Sequence, residues 1–290
     1  MTITTTSVPL ATYSGNDAGF RIWAKAWHDA MIELGCTQEY SNIDFTTVTM
    51  PTVVNTYAGG RVYTFGDALH ATDPIFIKLE WGRGSTSQAH TSFILKMTVG
   101  QAHASGTVSG NSINEYLATW NAIPDDGELI ATRTDAGISV WGNLPLGSYK
   151  FAPGFTIERV CLNGTPTNDG IAWTVFGTDV AGYTAQTGGV RLGSVNYALG
   201  VDYGKGTGFG PPLAASEAID PSFDDKAPVF PIYTFGGYDP LTNMIGTSKA
   251  YLNGQRFTAN VNGTSGQYRT LPGSGPNLRS NSPVTALRVA

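Results

Sequence analysis

Four histidines and two cysteines are the strongest metal ligands and nucleophiles in the chain, and their spacing limits what they can do. His28, His70, His90 and His103 form no H-x-x-x-H, H-E-x-x-H or other paired motif, so a zinc site would have to be gathered from distant residues. Cys36 and Cys161 make neither a C-x-x-C element nor a disulfide framework. No G-x-S-x-G nucleophile elbow occurs. Carboxylates are harder to judge by spacing, because a glycoside-cleaving pair needs only to meet within roughly 5 to 10 Å in the fold. Glu80, Asp125, Asp126, Glu128 and Glu158 are the candidates for such work. Asp220, Asp224 and Asp225 in DPSFDD offer oxygen to a hard cation but lack the D-x-[DN]-x-[DN]-G spacing. In GKGTGFG, residues 204–210, Gly200 lies one residue too close to Gly204-Lys205 for a phosphate-binding loop, and Gly206 stands where Ser or Thr is needed. No catalytic, cofactor-binding or metal-ligating residue is therefore assigned, and no enzyme is expected.

Aromatic side chains are the richest material left, with 6 Trp, 13 Tyr and 13 Phe. Tyr57, Tyr63, Trp81, Trp141 and Tyr149 are placed to stack on sugars or fill interface pockets, although core packing is the ordinary fate of each. Asn163-Gly164-Thr165 and Asn262-Gly263-Thr264 match the glycosylation pattern, but Asn-Gly between apolar runs reads first as a hairpin turn.

The elements that must position these residues are mostly strands. Residues 1–15 are Thr-rich and read as an extended arm, which pairs with a sheet edge or reaches a neighbour. Then apolar residues recur at Phe20, Trp23, Trp27, Ala30, Met31 and Leu34, the stripe of an amphipathic helix, with Ser14, Asn16 or Asp17 to cap it and Gly35 to stop it. Arg21, Lys25, His28, Asp29 and Glu33 occupy its other face. After Pro51 the period changes to two: Ile75, Ile77, Leu79 and Trp81 alternate with Phe76, Lys78 and Glu80. Residues 53–69 read as two strands joined at Ala58-Gly59-Gly60, and further strands are expected at 93–100, 128–132, 137–141, 155–162 and 171–176. Ile113, Tyr116, Leu117 and Trp120 suggest a second, short helix. Beyond Gly200 the chain is Gly- and Pro-rich, with strand-like pieces at 229–235, 250–257 and 268–271 and a second arm at 273–290. The expected fold is mainly β (α+β): an antiparallel β-sandwich with one N-terminal amphipathic helix packed on it and a loop-rich C-terminal third. The expected division is an arm at 1–15, a helix and sandwich domain at 16–200, and a loop-rich β extension at 201–290.

With 290 residues and 41% apolar residues the chain can bury a large core without staples. Only 13% of its residues are charged, about half the usual share for a soluble domain. A surface that is polar but weakly charged suits a protein packed against other copies or other proteins. A net charge of −5 without any basic run argues against nucleic acid as a partner. The first residues, MTITTTSVPL, have neither the basic nor the apolar region of a secretory signal, and no stretch approaches a membrane span; synthesis in a reducing cytoplasm without membrane insertion is the expectation.

The series FRIWAKAWHDAMIELGC, SNIDFTTVTMP, VYTFGDALHATDPIFIKLEWGRG, FILKMTVG and FTIERVCLNGTPTNDGIAWTV, with a weaker echo at FTANVNGTSGQYRTLPG, resembles a group of virion structural proteins of tailed bacteriophages. The resemblance implies a non-enzymatic particle component, made in the host cytoplasm and located in the virion, with no cofactor. The implied partners are copies of itself in a homo-oligomer and other virion proteins of the tail, baseplate or fibre-attachment region. A head decoration or collar protein is the neighbouring alternative. A carbohydrate-binding receptor module or short tailspike, with host-surface glycan as partner, is the alternative from another class. Residues 1–15, 201–228 and 273–290 are the expected contacts between subunits.

Overall fold

Asn16 starts the one α-helix among the described residues as its cap, its Oδ1 accepting from the Gly19 amide at 2.9 Å. Leu34 and Gly35, the latter at φ 75°, end it, with the Cys36 amide reaching back to the Met31 carbonyl at 3.1 Å. Of the three cap candidates in the sequence, Asn16 holds the position. Asn16→Ala should cost about 1 kcal/mol in chemical denaturation, since the Gly19 amide loses its acceptor.

The computed structural model describes residues 2–84, 92–120, 123, 125–146, 149–151, 153–178, 184–198, 229–233, 238–247, 256–261, 264–271 and 284–290. In chain order the elements are β1 (Thr4–Leu10), α1 (Asp17–Glu33), β2 (Thr37–Ser41), β3 (Thr56–Thr64), β4 (Phe76–Arg83), β5 (Ser92–Gly100), β6 (Ala102–Ala104), β7 (Thr107–Ser109), β8 (Ile113–Trp120), β9 (Gly127–Arg133) and β10 (Gly137–Leu146). There follow β11 (Tyr149–Phe151), β12 (Gly154–Leu162), β13 (Thr165–Thr178), β14 (Thr184–Leu192), β15 (Val195–Ala198), β16 (Val229–Tyr233), β17 (Pro240–Thr247), β18 (Arg256–Val261), β19 (Thr264–Thr270) and β20 (Val284–Arg288). The fold is mainly β, its sheets are antiparallel, and the helix lies near the N-terminus.

A 13-stranded sheet runs in the order β1-β9-β10-β12-β13-β8-β5-β4-β3-β2, with β14 and β15 continuing from β13 and β11 beside β10. The helix explains its shape. α1 packs on β1 and β9; Trp27 stacks on Phe155 of β12 at 6.0 Å; Trp23 meets Phe93 of β5 at 5.1 Å; and His28 meets Tyr63 of β3. In a flat sheet β1 and β3 would stand roughly 40 Å apart at about 4.8 Å per strand, far wider than one helix. The sheet therefore folds back on itself at the β13–β8 junction, where Thr178 pairs with Ala118, the only register pair there among the described residues. Two walls, β1-β9-β10-β12-β13 and β8-β5-β4-β3-β2, face each other across α1.

Strand alternation aims one set of side chains at the helix: Val8 and Leu10, Leu129 and Ala131, Ile138 and Val140, Phe155 and Ile157, Leu95 and Met97, Ile77 and Leu79. The opposite set on the first wall, Ile130, Trp141, Val160 and Ala172, packs with Leu241, Met244, Leu271 and Leu287 in a second core. Those partners belong to a five-stranded sheet ordered β16-β17-β20-β19-β18 or, for Leu271, directly follow it. The result is sandwich-like, with helix, wall and second sheet stacked in layers.

Several local expectations change. The segment 113–120 is strand β8, paired from Val99↔Ile113 to Ser92↔Trp120 with β5, not a helix. Residues i and i+4 share a side in both a helix and a strand, so Ile113 and Leu117 could not discriminate. Ala58-Gly59-Gly60 is no turn: β3 runs through it, and the glycines admit the neighbouring chain. A Cβ on Gly59 would stand 2.9 Å from the Asn42 carbonyl oxygen, and one on Gly60 2.7 Å from that of Leu79. Asn163-Gly164, at φ 52° and 78°, turns the β12–β13 hairpin as expected, and β13 then runs from Thr165 through Asp169-Gly170 to Thr178. The N-terminal segment is a strand on β9 of its own chain, from Thr4↔Arg133 to Leu10↔Gly127. Within 273–290, Val284–Arg288 is the middle strand of the second sheet. The loop at 201–228 lies outside the described residues.

Candidate functional site

Three groups of polar side chains are built into this frame, one at each junction between layers. The first lies between the two walls. Arg159 follows Phe155 and Ile157 on the helix-facing side of β12, and reaches across to the β3–β4 connection. Its guanidinium donates through Nε and Nη2 to the Asp67 carboxylate, the Nη2 bond measuring 3.1 Å, and through Nη1 to Asp73 Oδ2 at 2.7 Å. Gln101 Nε2 donates to the other oxygen of Asp73 at 2.6 Å. The side chain of Arg159 is 1% exposed, with Asp67 at 6% and Asp73 at 16%, so the guanidinium is buried and the carboxylates keep only an edge to water.

The second group joins the first wall to the second sheet. Glu158 points away from the helix and is buried. Its Oε2 accepts from the Thr242 amide at 2.7 Å and hydroxyl at 2.8 Å, and its Oε1 from the Asn243 amide at 2.8 Å. The β16–β17 register breaks at this place, passing from Pro231↔Ile245 to Tyr233↔Pro240, and the β17–β20 ladder begins only at Met244. The carboxylate thus takes up two amides that neither ladder pairs. Burial raises the Glu158 pKa against the opposing effect of these hydrogen bonds. Glu158→Leu leaves both amides orphaned and should lower stability by about 2 to 4 kcal/mol in urea unfolding. Nearby, Ser139 and Thr156 share a 2.7 Å bond, and Trp141 Nε1 donates to Thr156 Oγ1 at 3.1 Å. Glu128 makes a similar junction, accepting from Arg269 of β19 at 2.6 Å and from Asn143 at 2.9 Å. Burial raises its pKa, but donors from Ser7, Arg269 and Asn143 outweigh this and hold it at about 2.

The third group joins helix to wall. His28 Nδ1 lies 2.8 Å from the Tyr63 hydroxyl, and Arg61 Nη1 lies 2.8 Å from His28 Nε2. Arg61 also donates to Gln38 Oε1 at 2.7 Å and to the Ile43 carbonyl at 3.3 Å, and lies 4.3 Å above the Phe45 ring.

The carboxylate candidates do not converge. Glu128 stands opposite Asn143 and Glu158 opposite Gly137, at the two ends of β10; six residues at about 3.4 Å each put them roughly 20 Å apart along the strand, too far for a glycoside-cleaving pair. Glu80 is bound to Lys78 at 2.7 Å and to Lys96 at 3.6 Å. Asp126 accepts from the amide and hydroxyl of Thr12 at 2.9 and 3.1 Å, and Asp125 is exposed. His70 and His103 both rest against Phe76, at 6.2 and 4.7 Å, while His90, Asp220, Asp224, Asp225 and residues 204–210 lie outside the described residues. Among the described residues no three His, Cys, Asp or Glu gather as a metal site. Cys36 and Cys161 are buried thiols whose pKa burial pushes up to about 12, so neither is a ready nucleophile. Of the aromatic candidates, Tyr63, Trp81 and Trp141 are core residues; Tyr57 is half-buried with the Lys96 ammonium 5.9 Å from its ring. The side chain of Tyr149 and the Asn262 turn lie outside the described residues. Arg159, Asp67 and Asp73, the most buried charges that meet, carried no signal in sequence, because their partners are separated by some ninety positions.

No family model matches the chain, and no curated protein does. Among the described residues no helix is long and apolar enough to cross a membrane.

Proposed function

We propose that the chain is a non-enzymatic structural component of a tailed-bacteriophage particle, assembling as a homo-oligomer with other virion proteins in the tail, baseplate or fibre-attachment region. One observation carries this reading: the buried Glu158 and Arg159, with the partly buried Glu128, join layers. Arg159 ties wall to wall, and Glu158 and Glu128 tie wall to second sheet. Such a fold is a stiff brick, suited to repeated packing in a symmetric array. The phage-protein resemblance of residues 20–175 and the low share of charged residues support the same reading. The glycan-binding alternative draws less support, because Tyr63, Trp81 and Trp141 are buried and not arrayed on a surface.

The test is a reconstruction of the purified particle produced by the genome that encodes this chain. Density for the fold in the tail or its attachment region is the expected result. A particle that lacks the chain overturns the proposal. Release of reducing sugar ends from host glycan by the purified protein would move it to the enzymes.

A further inference from the structure

Arg61 Nη1 stands 2.8 Å from His28 Nε2 and 3.3 Å from its Nδ1, so the guanidinium lies against the imidazole as a whole and not on the axis of one lone pair. His28 Nδ1 is also 2.8 Å from the Tyr63 hydroxyl. A proton arriving on the ring sets two cations in contact. Arg61 is also the hub that holds the Gln38 side chain of β2 and the Ile43 carbonyl, and it stacks on Phe45. Phe45 in turn packs edge-on against Trp81 at 5.0 Å. Displacing Arg61 therefore loosens β2 and the segment 42–48 together.

We propose that the His28–Arg61 contact is an acid-sensitive latch that holds β2 and residues 42–48 against helix α1 at neutral pH and releases them on acidification. The charged and titratable groups around it favour this. From α1, Lys25 opposes a proton on His28 and Asp29 favours one; from β3, Arg61 opposes it, and the buried Tyr63 hydroxyl stays neutral. From the 42–48 segment, Asp44 acts on Arg61 but is occupied in accepting from Thr46 and Thr47. Cys36, beside Tyr63, is a neutral thiol. Burial and then the Arg61 charge lower the His28 pKa from 6.5 to about 4. The latched state thus refuses a proton that the released state takes up below pH 6.5, so opening is favoured as pH falls from 6.5 towards 4.

Hydrogen exchange of the whole protein tests this. After correction for intrinsic rates, exchange at residues 37–48 should accelerate by up to about tenfold per pH unit between 6.5 and 4. His28→Gln, which keeps an acceptor for Arg61 but cannot titrate, should remove that dependence. Its persistence in the variant would assign the effect to carboxylates and overturn the proposal. Should the variant not fold, the imidazole of the wild type decides by NMR titration: a midpoint near 4 coinciding with the exchange step supports the latch, and a midpoint near 6.5 overturns it.

Discussion

Replacing Arg159 by Met should destabilise the protein by about 3 to 5 kcal/mol, measured as a fall in the urea midpoint at unchanged slope. The size follows from what remains. Asp67 and Asp73 would stay behind at 6% and 16% exposure with the cation between them gone. The Leu69 amide on Asp67 and the Gln101 side chain on Asp73 are neutral donors and do not replace the lost cation. The buried pair is not in itself a large gain, because desolvation offsets much of the Coulomb attraction; the damage lies in leaving charge unpaired. A second variant separates these effects. Arg159→Met combined with Asp67→Asn and Asp73→Asn removes the uncompensated charge and should recover a large part of the loss. If the triple variant is no more stable than the single one, geometry and not charge is what Arg159 supplies.

Arg159 also marks where sequence reading stops. In FTIERVCL, the adjacent Glu158 and Arg159 put a charge on each face of the strand, and nothing local marks both as buried. Residues Gly154 to Cys161 of β12 are in fact buried on both faces, since the helix core covers one and the second sheet the other. β4 is legible because one of its faces is wetter: Ile77, Leu79 and Trp81 are buried, while Phe76, Lys78 and Glu80 are half-exposed. A strand between two cores loses that alternation, and its charges are satisfied by residues that no local window contains. The pieces at 229–235, 250–257 and 268–271 overlap β16, β18 and β19 of the second sheet, but β17 and β20 carried no signal, for a related reason. β17 begins at a proline and carries Asn243 inside, and β20 is only five residues long, so neither shows a period. β14, where no strand is expected from the sequence, contains Gly188-Gly189, which have no side chains to show a period. The gap there has a physical cause: the Trp173 indole lies where a Cβ of residue 189 would be, 2.3 Å away. The helix was legible throughout because its cap, stripe and stop are all local.

That stripe sets the largest expected loss in the hydrophobic core. Trp27→Ala should cost about 3 to 5 kcal/mol, read by chemical denaturation of the isolated protein. Trp27 has 0% exposure within a single chain and stacks on Phe155, with the interplanar angle at 20°. Its removal opens a cavity between α1 and β12, and neither a helix held by its cap nor a wall fixed by ladders can close on it. Trp23, set among Phe20 and Phe93, belongs to the same layer and should behave alike. Neither indole N–H finds a hydrogen-bond partner among the described residues. The polar handle therefore contributes nothing, and Trp27→Phe should lose much less than Trp27→Ala. The two variants together distinguish filling volume from making contacts outside the chain. A Trp27→Ala protein that unfolds as the wild type does, yet fails to assemble, would place the stripe at an interface and contradict its position between the walls.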